Sequence, residues 1–189
     1  MPRRFFLFDT PDRFIAGTVG EPGSRTFFLQ AREGSRIVSV ALEKVQVAAL
    51  AERLDDLLDE LEKRGVEGAE DTDGLTLPSG DPGPLDEPIN EAFRAATLSL
   101  GWDGSNGKVL VEARAPSEDE DEDVLDDDDE TSPDGPDVLR VRLLPVEARS
   151  FVERAVRVLG SGRPPCPLCG QPLDPQGHLC PRRNGHLLN

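Results

Sequence analysis

The sequence predicts an α+β fold: a duplicated βββα unit forming an antiparallel sheet with two helices, plus a small cysteine-bearing appendage at the C-terminus. Three observations predict it. Strand-like alternation is broken by glycine turns, the period switches to helical spacing after each set of strands, and all three cysteines lie in the tail.

The elements follow in order. Arg13–Gly20 and Thr26–Arg32 alternate in polarity around Glu21-Pro22-Gly23-Ser24, a hairpin connection. Gly34-Ser35 leads into Arg36–Leu42, rich in β-branched residues, which suit a pleated, half-buried surface. From Glu43 to Arg64 the apolar residues Val47, Leu50, Leu54, Leu57 and Leu61 recur every three or four positions, with acids between them. That spacing places them on one helical face, and Gly65 ends the helix.

The second half repeats the pattern. Residues 12–19 align with 91–98, Phe28–Arg32 with Leu110–Arg114, Val38–Val45 with Leu139–Val146, and Leu50–Arg53 with Phe151–Arg154. The separation between copies grows at Gly101–Lys108, a longer hairpin, and again at an acidic insertion. Chance likeness between two amphipathic segments is the competing reading. The chain therefore divides into a first repeat (1–66), a Pro/Gly linker (67–89), a second repeat (90–160) interrupted by 117–137, and a tail (161–189).

Charge is placed unevenly. The net charge of −16 argues against a nucleic-acid binder working over its whole surface. Yet thirteen acids and no Lys or Arg lie between Ser117 and Asp137, so the remainder carries only −3. That composition predicts a disordered, self-repelling tether. Residues 140–189 hold eight Arg and three acids, a balance of +5. Arg154, Arg157, Arg163, Arg182 and Arg183 are candidate contacts for an anionic partner, with the acidic loop covering them. After Arg3-Arg4 only Phe5–Phe8 is apolar, against the roughly 7–15 residues of a signal-peptide core. No run approaches the roughly 18 apolar residues of a membrane span. The expectation is a cytoplasmic protein with reduced thiols and no membrane partner.

The tail carries the sharpest chemistry. Cys166-Pro-Leu-Cys169-Gly is the turn of a zinc knuckle, two thiolates converging on one metal, and Cys180 supplies a third. Both histidines of the chain, His178 and His186, lie beside it. Either completes a tetrahedral Cys3His site: His178 shares a strand face with Cys180, and His186 returns through Asn184-Gly185. With four protein ligands no position is left for an activated water, so the zinc is structural. The competing reading, a dithiol redox site, needs a helix after the motif, which Pro172 and Pro175 forbid.

Pro11–Gly20, Leu42-Glu43-Lys44, Gly101-Trp102-Asp103, Gly162–Cys169 and Asp174–Cys180 together resemble an actinobacterial family of uncharacterised proteins, domain of unknown function 3090. The likeness spans nearly the whole chain and brings no established activity. It implies that Cys166, Cys169, His178 and Cys180 form the family's ligand set, since the position of His186 is commonly Tyr there.

Other constellations read as structure. Gly101–Lys108 has glycines and a lysine like a phosphate loop, but Trp102 and Val109 occupy the wrong positions and the context is strand–turn–strand. Asp119, Asp121 and Asp123 alternate as in a calcium loop without its Gly and terminal Glu. Asp9, Asp12 and Arg13 near a strand start suit turn and cap duties. With both histidines beside the cysteines, no usual general base is free, and catalytic residues are none. The functional expectation is a non-enzymatic, zinc-stabilised binding or adaptor protein acting at the seam between the repeats, its partner a protein. Two alternatives stand: a nucleic-acid-associated regulator using the Arg-rich tail, gated by the acidic loop, and an enzyme with a site between the repeats.

Overall fold

The computed structural model describes residues 3–21, 23–69, 81–117, 135–162, 166–169 and 180. The insertion at 118–134, most of the tail, and part of the linker lie outside them. The described elements are β1 (Phe5–Phe8), β2 (Arg13–Val19), β3 (Thr26–Glu33), β4 (Arg36–Leu42), α1 (Lys44–Lys63), β5 (Glu91–Arg94), β6 (Thr97–Asp103), β7 (Lys108–Arg114), β8 (Val138–Leu143) and α2 (Pro145–Gly160).

The fold is α+β, as expected. The strands, however, form two four-stranded sheets, ordered β2-β3-β4-β5 and β6-β7-β8-β1. Each is an antiparallel meander with one parallel strand added beside its last member: β5 beside β4, and β1 beside β8. The added strand comes each time from the other half of the chain, so the halves interlock. These two strands have only four residues each, too few for a period to show in sequence.

The registers fix which residues are counterparts. Phe28–Arg32 and Leu110–Arg114 correspond, as do Val38–Leu42 with Leu139–Leu143 and α1 with α2. The alignment of 12–19 with 91–98 does not hold. Residues 91–94 and 97–98 belong to different sheets. Arg13 faces Arg32 as Thr97 faces Arg114, so β2 corresponds to β6. Shared Phe, Ala and Thr misled the sequence reading, whereas sheet pairing depends on register along the whole ladder.

Local chemistry explains the turns and helix starts. Gly34 adopts φ 58° between Glu33 and Arg36 in the tight β3–β4 connection, a left-handed backbone that favours glycine. Between β6 and β7, Asp103 accepts hydrogen bonds from the Ser105 and Asn106 backbone N–H groups at 3.0 and 3.1 Å. The segment that resembled a phosphate loop is therefore a hairpin turn. At the start of α1 the Gln46 side chain accepts from the Glu43 N–H at 2.8 Å, and at α2 Glu147 does the same for Leu144. Each satisfies a backbone donor that a helix start leaves open.

One core unites both halves. It joins Leu29, Val40, Val111 and Val141 of the sheets to Leu50, Leu54, Leu58, Phe151 and Ala155 of the helices. Arg149 of α2 ties the helices together, donating to Asp55 at 2.6 Å, to Asp59 at 3.3 Å and to the Ala69 carbonyl at 2.8 Å.

The far faces differ. On the first sheet Ile15, Phe28 and Ala41 form a small apolar cluster covered by Leu85 and Ile89 of the linker. A Cβ on Gly17 would lie 2.6 Å from Leu85, so the glycine is what admits that side chain. On the second sheet the corresponding face buries Glu112, Arg114 and Arg140.

Candidate functional site

The cysteines converge. Among the described residues, Cys166, Cys169 and Cys180 form a group whose sulfur atoms all lie within 4.8 Å of one another. All three are free thiols; Cys166 and Cys180 are buried and Cys169 is partly so. Backbone hydrogen bonds from Cys169 and Leu168 hold the Cys166 thiol below its ordinary pKa, with burial pulling the other way. Three thiols this close, one biased toward thiolate, fit a thiophilic metal. Zn–S bonds of about 2.3 Å in a tetrahedron set sulfurs about 3.8 Å apart. His178 and His186 lie outside the described residues.

The Arg set separates. Arg154 does not face a partner: it is 6 % exposed, its Nε donates to the Ala16 carbonyl at 2.7 Å, and a terminal nitrogen bonds the Asp81 carbonyl. Burial lowers its pKa, opposed by the charge of Asp81. The helical period places it on the inner face of α2, where a guanidinium ties edge strand β2 to the linker. Arg157 is exposed on the same helix. Arg163, Arg182 and Arg183 lie outside the described residues, as do the alternating aspartates at 119, 121 and 123.

Asp9, Asp12 and Arg13 do not form a common site. Asp9 pairs with Arg142, and Asp12 accepts the Gly34 N–H at 2.6 Å. Arg13 bridges the linker, pairing with Asp81 and, at 2.9 Å, with Asp86. The hydrogen bond from Arg13 pulls the Asp81 carboxyl down to about 2, against the effect of burial and with help from the Gly83 N–H.

Two features escaped sequence reasoning. The first is the buried charge ladder on the second sheet. Glu112 accepts from Arg114 Nε at 2.5 Å and from Arg140 Nε at 2.6 Å, and the Arg140 guanidinium lies 5.2 Å from the Phe5 ring centre. Its signal was the spacing of Glu112 and Arg114, two apart and therefore on one face. The second is a groove of about 400 Å3 between α1 and β6, lined by Gln46, Leu50, Arg53, Leu57, Leu98 and Leu100 among others. It runs along the seam between the halves. Gln46 reaches across its end to the Ala95 and Ala96 carbonyls, both at 3.2 Å.

No helix among the described residues is long and apolar enough to cross a membrane. No curated protein and no solved structure matches the chain. One family model does, over residues 6–180, a span that takes in both sheets, both helices and all three cysteines; the chain belongs to the family described as Protein of unknown function (DUF3090).

Proposed function

We propose that the protein is a non-enzymatic, cytoplasmic binding or adaptor protein whose tail is folded by a structural zinc ion. The observation that carries the metal reading is the convergence of Cys166, Cys169 and Cys180 within 4.8 Å. His178 is the fourth ligand in this reading, with His186 the alternative. A short Pro- and Gly-rich tail has little apolar surface of its own, and metal binding to such a segment supplies folding free energy directly.

The binding role is supported by the groove along the seam, which is apolar on most walls and polar at Gln46, Arg53 and Ser99. The nucleic-acid reading is weakened by Arg154, whose guanidinium holds the fold together.

Zinc stoichiometry on the purified full chain tests the metal. Wild type and His186→Ala are expected to hold an equimolar amount, and Cys166→Ser and His178→Ala to hold substoichiometric zinc. Full loading of Cys166→Ser would overturn the site, and loss on His186→Ala alone would exchange the histidines.

A further inference from the structure

The two halves have one strand order, and their registers make the helix-facing residues of the α1–β6 groove the counterparts of residues between α2 and β2. Arg53 corresponds to Arg154, Leu50 to Phe151, Leu98 to Phe14, Leu100 to Ala16 and Gly101 to Gly17. In the first place most of the space is filled, and about 170 Å3 remains beside Phe14, Asp81, Glu147 and Ser150. Phe14 stacks on Phe151 with ring centres 4.8 Å apart, and α2 packs along β2. Arg154 is buried against the linker, bonded to the Asp81 carbonyl, with the Asp81 carboxylate, which Arg13 also holds, 3.7 Å away. The same segment continues to the far face of the sheet, where Leu85 lies over Gly17.

In the second place the aromatic pair is replaced by two leucines, which fill less volume, and a groove of about 400 Å3 remains. Arg53 stands exposed on its wall. Among the described residues β6 is an edge strand, with no strand paired to the backbone groups on its outer side.

We infer that the α1–β6 groove docks an acidic segment of a partner protein, with Arg53 receiving a backbone carbonyl and an adjacent carboxylate. The counterpart accepts not an isolated anion but chain, the Asp81 carbonyl bonding Arg154 and the Asp81 carboxylate lying between Arg13 and Arg154. Charge complementarity points the same way, because an exposed guanidinium on an apolar wall gains most from a carboxylate that brings apolar neighbours with it. This inference rests on the binding-protein reading and names its site and the chemistry of its partner.

The test uses the full chain, 15N-labelled, titrated with the blocked peptide Asp-Pro-Gly-Pro-Leu-Asp, which reproduces residues 81–86. Amide shifts are expected to concentrate at Gln46–Leu57 and Ala96–Gly101. Arg53→Ala is expected to weaken binding about tenfold, the scale of one charge-assisted hydrogen bond. Leu50→Phe/Leu98→Phe, which copies the closed half, is expected to abolish it while retaining the wild-type melting temperature. Shifts elsewhere, equal binding by the Asp→Asn peptide, or the same response to hexanoate, a small-molecule site, would each overturn the proposal. So would shifts that follow protein concentration instead of peptide, which mark self-association. A partner captured from the native cell equally by wild type and by the double-Phe protein overturns the groove but leaves the binding-protein reading standing.

Discussion

The two halves share a topology and differ in how each closes its surfaces. In the first, the linker lies across the sheet, Leu85 covers an apolar face, and Arg154 is locked between strand and linker. In the second, the corresponding face carries Glu112 between Arg114 and Arg140, and the groove beside Arg53 stays open. One scaffold thus supports two solutions. The buried face of the first sheet is apolar and neutral polar, and that of the second holds a carboxylate between two guanidinium groups. The first half seats its own linker, and the groove left in the second is the place proposed for a partner.

The sharpest way to break this comparison is to remove the charge at its centre. Glu112→Ala removes the buried carboxylate that Arg114 and Arg140 share and is expected to cost about 3–5 kcal/mol. Gln30, its counterpart, bonds Ser39 at 3.0 Å and the Asp86 carbonyl at 2.9 Å. Gln30→Ala is expected to cost about 1–3 kcal/mol, the range for a buried neutral group losing its partners. Equal losses in urea unfolding would erase the distinction between a charged and a neutral face.

Next in size is the linker contact. Leu85→Ala empties the small cluster over the first sheet and is expected to cost about 2–4 kcal/mol. If stability holds instead, the linker does not close that face. The two arginines give a smaller and more pointed contrast. Arg154→Ala leaves the Ala16 and Asp81 carbonyls without their donor and is expected to cost about 1–3 kcal/mol. Arg53→Ala, at an exposed position, is expected to change stability by less than about 0.5 kcal/mol. The same chemical deletion at two equivalent positions separates a buried structural guanidinium from an exposed one.

The smallest effect is a pH dependence. The Asp81 carboxyl sits at about 2 because of Arg13, below the roughly 3.9 of an unfolded aspartate. A depressed carboxyl stabilises the fold fully above about pH 4, and that share is lost as pH falls through about 2. Asp81 is 38 % exposed, so screening holds the share below about 1 kcal/mol. Asp81→Asn is expected to flatten the stability profile in that window; an unchanged acid slope would remove the ion pair from the account.

Much of this organisation was legible in the chain. The period of Val47, Leu50, Leu54 and Leu61 placed all four in the core, and Gly34-Ser35 marked a real turn. Cys-Pro-Leu-Cys anticipated thiols that meet, since close spacing fixes two of the three locally. Arg154 was misread because eight arginines in a basic stretch suggest a surface, while only helical phase and the reach of the linker put this one inside. The match of 12–19 with 91–98 failed because identity over a few residues does not contain the register of a sheet.

The sequence by itself determined the class, the strands and helices long enough to show a period, the turns, and the cysteine cluster. Local sterics and hydrophobic alternation are written residue by residue and need no distant partner. The tertiary structure alone decided the rest: the exchange of β1 and β5 between sheets, the burial of Glu112 among arginines, and the difference between Arg154 and Arg53. Each depends on which segments meet in space, as when β1 pairs with β8 and Arg154 bonds the Ala16 carbonyl across more than 130 residues. Nothing local distinguishes a guanidinium that will find a carbonyl from one that will face an open groove.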